Sequence, residues 1–287
     1  MALWHDRRGR FSAFRAATLA LLVVPVLALG YFTLTSELGP RPRTEAIHEV
    51  GLWAIRFLML SLFITPMRRI ARYAPLVDVR RMIGVGAFCY IALHLVLYTA
   101  DQMFDIGKVV SEIVLRYYLT IGFTAWLGFA VLAATSNDYS VRGLGGLRWR
   151  KWHRLIYPVA ILGCIHYFMQ SKLEVFEPTI IGGIFLWLML YRILHWAFPR
   201  EAEFPLGVIA ASWLFVGAFV FVAEAIAFKI AFNAPILRVL ALDFSFHAGI
   251  RPGWYVWGVG LIVTLIGALR LKPLAGRVQL ASNPGRS

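Results

Sequence analysis

The sequence predicts an all-α protein, a polytopic helix bundle in a lipid bilayer. Three observations carry this. Of 287 residues, 60% are hydrophobic and 15% charged, against roughly 25% charged in an ordinary soluble domain, and mean hydropathy is +0.69. Apolar runs of the roughly 20 residues that a membrane helix needs recur eight times, at 14–34, 48–66, 82–100, 117–136, 152–170, 178–197, 206–228 and 253–271. The excess of 29 basic over 15 acidic residues, a net charge of +14, is gathered in short clusters between those runs, as in the cytoplasmic loops of membrane proteins. Disorder, a soluble secreted fold and a disulfide scaffold are excluded. The two cysteines, Cys89 and Cys164, lie inside apolar runs and read as packed core thiols. Nucleic acid is excluded as a partner, because no basic face remains once the loops are assigned.

The first run follows Arg7, Arg8 and Arg10 and meets no clean small-x-small site before Glu37, so it reads as a retained span rather than a cleaved signal peptide. Arg68, Arg69, Arg72, Arg80 and Arg81 follow the second run, and Arg142, Arg148, Arg150 and Lys151 the fourth. Arg270, Lys272, Arg277 and Arg286 follow the eighth. The alternate loops are mixed in charge, so both termini face the cytoplasm of a bacterial inner membrane. Phe104–Leu115 is too short and too charged to span and reads as an interfacial helix or loop. No internal repeat, low-complexity tract or appended soluble domain is visible.

Seven histidines remain to be explained. His5 and His247 read as solvated bystanders, and His48 and His195 as amphipathic rings at span ends. His94 and His166 lie well inside apolar runs, where a polar group is costly and marks function. Counted from the cytoplasmic ends of their spans, they lie about 18 Å and about 21 Å deep at roughly 1.5 Å per residue. Two neutral imidazoles at matched depth suit the two axial positions of one heme iron. Bonding within the bundle, another metal and a proton relay remain open alternatives. His153 lies 13 residues before His166, with Pro158 between. A second cofactor stacked below the first is permitted by that spacing and not required. Arg80, 14 residues before His94, occupies the corresponding place on the third span. Arginine is a poor iron ligand and a good propionate partner, and His195 is the other possible ligand. Arg56, about 12 Å into the second span, calls for an anion: a heme propionate, a quinone oxygen or a structural carboxylate. Gly143–Gly146 reads as a flexible basic loop, since it lacks the lysine and spacing of a phosphate loop.

The stretches 56–70 (RFLMLSLFITPMRRI), 80–98 (RRMIGVGAFCYIALHLVLY), 116–136 (RYYLTIGFTAWLGFAVLAATS) and 148–167 (RWRKWHRLIYPVAILGCIHY) resemble the MsrQ (YedZ) family of the ferric-reductase-like transmembrane group. The resemblance covers about His48 to Ala197. It implies a six-helix ferric-reductase-like core, whose heme-binding part at 48–197 is preceded by a cytoplasmic N-terminus, first span and periplasmic loop at 1–47. A two-span C-terminal extension with a cytoplasmic tail follows at 198–287, and departs from the family pattern. The resemblance also implies b-type heme, one or two per chain, on His94, His153 and His166. It implies FMN, for which no residue is carried over. Electrons would pass from a cytoplasmic flavin reductase or the quinone pool to MsrP, a periplasmic molybdopterin methionine-sulfoxide reductase that repairs oxidised envelope proteins. On this reading the chain is an electron-transfer subunit without substrate chemistry of its own. A self-sufficient ferric or oxygen reductase is the first alternative, disfavoured because only Phe198–Pro205 separates the sixth and seventh runs. A transporter with structural histidines is the second, disfavoured because neither repeats nor broken helices are evident.

Overall fold

A computed structural model describes residues 4–5, 9–172, 174–199, 203–246 and 249–271. Arg7, Arg8, His247, Lys272, Arg277 and Arg286 lie outside the described residues. Twelve α-helices occur among them: α1 (Ala13–Leu34), α2 (Pro42–Ile70), α3 (Leu76–Asp101), α4 (Ile106–Leu115), α5 (Tyr117–Ala134), α6 (Asp138–Leu144), α7 (Gly146–Trp152), α8 (Ile156–Gln170), α9 (Phe176–Ala197), α10 (Leu206–Phe232), α11 (Ile236–Asp243) and α12 (Pro252–Leu271). Seven of these, α1, α2, α3, α5, α9, α10 and α12, are long and apolar enough to cross a membrane. Helices dominate because lipid offers no partner for a backbone N–H or C=O, so each segment must satisfy its own.

The fifth expected span takes a different form. A single 3₁₀ turn, His153–Leu155, leads into α8, which has 15 residues. Pro158 falls in the first turn of α8, where a missing N–H costs nothing. The helix and its 3₁₀ turn together rise about 28 Å, close to the hydrocarbon thickness. The segment expected to be interfacial forms α4, capped by the Asp105 carboxylate, which accepts from the Lys108 N–H at 2.9 Å. Gly143–Gly146, expected to be a flexible loop, instead closes α6 and opens α7. Gly145 makes the junction at φ 74°, a conformation that favours glycine.

The helices group into two compact units. One comprises Met1–Ile64 and Pro75–Ile181. Within it, α3 packs on α1 through Gly86, where a Cβ would stand 2.7 Å from Leu22. Pro25 lies inside α1, and one residue later the Tyr90 hydroxyl enters the helix. That hydroxyl accepts from the Val26 N–H at 3.1 Å and donates to the Leu22 carbonyl at 2.7 Å. It thereby bridges the two groups that would otherwise bond each other across one turn. In the same unit, α5 and α8 meet closely at Gly128, opposite Val159.

The other unit comprises Thr65–Ala74 and Gly182–Ser287. Its centre is the fully buried Trp187, stacked on Trp213 at 4.1 Å and donating to the Ser212 hydroxyl at 2.9 Å. Gly217 and Gly260 let α10 and α12 approach over Trp257 and Trp213, the use of small residues common between membrane helices. The buried Glu224 lies on α10, five positions before Lys229. It pairs with Arg251, while Lys229 donates to the Asn233 side chain at 2.7 Å. Arg251 also reaches Asp243 at 3.5 Å. The cysteines divide: Cys164 is buried, but Cys89 is exposed on α3. This corrects the reading of both as core thiols, since an apolar run does not reveal which face of its helix meets protein.

Candidate functional site

Helix α3 carries His94 and α8 carries His166, and the fold brings the two rings together. Their centres are 6.3 Å apart and their planes cross at 85°. His94 bonds through Nδ1 to the Ile47 carbonyl on α2 at 2.9 Å. His166 bonds through Nδ1 to the Tyr118 carbonyl on α5, also at 2.9 Å. A carbonyl only accepts, so each ring carries its proton on Nδ1 and its lone pair on Nε2. This is the outer-shell arrangement of metal-binding histidines, in which the remote N–H is tied to a carbonyl and the ring orientation is fixed.

The spacing can be tested against a shared iron. With metal–nitrogen bonds of roughly 2.0 Å and each ring centre about 1.2 Å beyond its nitrogen, imidazoles on opposite sides of one metal would have centres about 6.4 Å apart. The observed separation agrees. Among the described residues, no group of three or more His, Cys, Asp or Glu side chains gathers as a metal site. The chain thus offers two nitrogen donors here, and a porphyrin contributes four more to an iron it carries.

Each histidine faces a glycine. A Cβ on Gly51 would stand 2.9 Å from His94 Nδ1, and one on Gly122 would stand 2.6 Å from His166 Nδ1. Gly51 lies four residues after Ile47, and Gly122 four after Tyr118. Two helix pairs, α2 with α3 and α5 with α8, therefore repeat one arrangement. Sequence reading found no internal repeat and passed over both glycines. The available signal was register: Gly51 precedes His94 by 43 residues and Gly122 precedes His166 by 44.

His153 sits in the 3₁₀ turn, at the other end of α8 from His166. Its ring stacks on Trp149 at 3.7 Å. Its Nδ1 meets the Trp149 carbonyl at 3.1 Å and its Nε2 the Ser136 hydroxyl at 3.4 Å. Arg80 and Arg81 lie within electrostatic reach of it, and Arg81 pairs with Asp138 at 2.6 Å. Arg80 is exposed near the start of α3. Arg80, near the start of α3, and His153, in the turn that leads into α8, thus form a second level, remote along those helices from His94 and His166. His195 belongs to the second compact unit, where it packs against Tyr191 at 4.7 Å and Phe204 at 4.4 Å.

The anion that Arg56 meets is Glu177, at the start of α9. The other Glu177 oxygen accepts from the Tyr167 hydroxyl at 3.2 Å, and the guanidinium lies over Trp53 at 4.9 Å. A structural carboxylate is one of the three anions expected for Arg56, and Glu177 supplies it.

Among the described residues, helices of membrane length bring two imidazoles together, an arrangement that fits a transmembrane protein of the ferric-reductase type. Residues 50–164 match the family model for the ferric reductase like transmembrane component. The chain is 34% identical over 206 residues to the protein-methionine-sulfoxide reductase heme-binding subunit MsrQ of Herminiimonas arsenicoxydans, covering 71% of this chain and 94% of that protein. It is 39% identical to the protein of that name from Rhodospirillum rubrum (66% of this chain, 89% of that protein) and 36% identical to that of Caulobacter vibrioides (62% and 85%). The chain belongs to the MsrQ family. No solved structure matches it.

Proposed function

We propose that the chain is a membrane electron conduit that holds b-type heme between His94 and His166 and serves a periplasmic methionine-sulfoxide reductase of the MsrP type. The facing imidazoles at 6.3 Å, each with its remote nitrogen tied to a carbonyl, carry this reading. The relatives' heme-binding name supports it. A bound heme supplies reversible one-electron exchange. The residues of the chain bind and orient it: Ile47 and Tyr118 hold the tautomers, and His94 and His166 present their Nε2 lone pairs. The apolar walls of α3, α5 and α8 keep water away.

The second level, with His153 and Arg80, is proposed as the cytoplasmic redox site, either a second heme or the docking point of the donor. The stacked imidazole of His153 supplies a nitrogen, and Arg80 a cation for a propionate or phosphate. FMN, which the family resemblance implies, is left without an assigned residue. The donor is a cytoplasmic flavin reductase or membrane quinol. Basic loop clusters direct the His153 end inward, in an inner membrane with cytoplasmic termini. Electron movement outward is then favoured by about 2.3 kcal/mol per 100 mV, negative inside.

Reduced-minus-oxidised spectra and heme iron per polypeptide, measured on the purified full chain, test the reading. Heme should be present, and His94→Ala or His166→Ala should each remove most of the Soret absorbance while the protein still inserts. Full heme content in both variants would refute the ligand assignment. Inverted vesicles test direction: reduced flavin or quinol outside should reduce the heme, and MsrP enclosed in the lumen should reoxidise it. Equal reoxidation without MsrP would refute the partner.

A further inference from the structure

We infer that Gly51 and Gly122 are positioning residues, which by leaving their Cβ positions empty hold the two imidazole planes crossed and so set the electronic state of the iron between them. The inference rests on the heme reading above. The Cβ of a helical residue leans toward the helix N-terminus, over the preceding turn. A side chain at 51 or 122 therefore covers the approach to the carbonyl four residues earlier, and those carbonyls, of Ile47 and Tyr118, are the ones the histidines use. At 51 a Cβ would meet His94 Nδ1 at 2.9 Å and Cε1 at 3.0 Å. At 122 it would meet His166 Nδ1 at 2.6 Å and Cε1 at 2.7 Å. Ordinary van der Waals contact begins at 3.4 Å. Each ring turns about its Cβ–Cγ bond, its Nδ1 hydrogen bond to the carbonyl fixes that turn, and the missing Cβ of the glycine leaves the space that the bonded ring occupies. The crossing at 85° is the angle between two rings seated in this way.

Crossed imidazoles donate into different iron π orbitals and leave them nearly degenerate, whereas parallel ones split them. Ferric low-spin heme reports the difference directly: crossed planes give a single paramagnetic resonance at very large g, and parallel planes give an ordinary rhombic signal. Gly51→Ala and Gly122→Ala are compared with the unsubstituted protein and with Gly163→Ala, whose added methyl would meet nothing within 4 Å. The unsubstituted protein and Gly163→Ala should share the large-g signal. Gly122→Ala should move it toward the rhombic form and weaken heme retention about 10- to 100-fold, the usual effect of disturbing a ligand's outer partner. Gly51→Ala should do the same to a smaller extent, because its contact is longer, and it decides the question if Gly122→Ala does not accumulate. Unchanged signal and unchanged heme affinity in the glycine variants would overturn the inference and leave the heme reading standing. Absence of heme from the unsubstituted protein would remove that reading and the inference with it.

Discussion

Replacing Arg251 by methionine tests the charged cluster of the second compact unit. Arg251 pairs with Glu224 and Asp243, whose side chains are only 7% and 3% exposed, and its own is 23% exposed. The substitution keeps the length and apolar stem and deletes the cation that faces the two buried carboxylates. Breaking a buried ion pair by removing one partner costs about 3–5 kcal/mol, because the remaining charge is left in an apolar surrounding. The partial exposure of Arg251 places the expected loss near the lower end, about 3 kcal/mol. At roughly 2–4 °C per kcal/mol for a chain of this size, the unfolding midpoint in detergent should fall by about 6–12 °C. The loss has a pH signature. Burial pushes the Asp243 carboxyl above its ordinary range, and the Arg251 charge pulls it back. A carboxyl with a raised folded-state pKa contributes full stability below its unfolded pKa and loses it as pH rises through the folded value. Without Arg251 the destabilisation should therefore be larger at pH 8 than at pH 5. Adding Glu224→Gln and Asp243→Asn to the variant should restore most of the midpoint, since no uncompensated charge then remains. A midpoint shift under about 2 °C, or one equal at both pH values, would refute the reasoning.

Three further outcomes follow from the first unit. Glu177→Gln breaks the pair with Arg56, but both side chains are about one-third exposed; a stability loss of no more than about 1 kcal/mol with unchanged heme content is expected, and a loss of heme would show that Arg56 serves the cofactor. His153→Ala should keep the heme held by His94 and His166 while slowing its reduction from the cytoplasmic face about tenfold or more; stopped-flow traces at the normal rate, with normal heme content, would make the residue merely interfacial. Tyr90→Phe removes the hydroxyl that bridges Val26 and Leu22 in α1 and should cost about 1–2 kcal/mol in thermal unfolding. No measurable change would mean that the two backbone groups close on each other directly.

What the sequence made legible was what the bilayer dictates. An apolar run of span length must be helical, so the membrane-length helices were readable in advance, and the helical rise gave the reason to set His94 beside His166. What it hid was rotation about each helix axis, because eight apolar faces look alike in one dimension. Cys89 and Cys164 occupy similar runs, yet one is exposed and the other buried. Arg56 finds its anion 121 residues away in Glu177. Glu224 ignores Lys229, five positions on, for Arg251, 27 positions on. Electrostatic partners in lipid are chosen by which faces meet, and local spacing is a poor guide to that. The glycine seats were hidden for a further reason. A glycine among 24 carries no chemistry, and its meaning lies in the side chain that a neighbouring helix sets against it. Once one seat is known the second becomes readable from register alone, since Gly51 to His94 and Gly122 to His166 span nearly the same length of chain. The same reasoning gives the two glycines a single role: identical contacts made twice, on helices that share no side-chain pattern, follow from the common need to bring an imidazole down onto a backbone carbonyl.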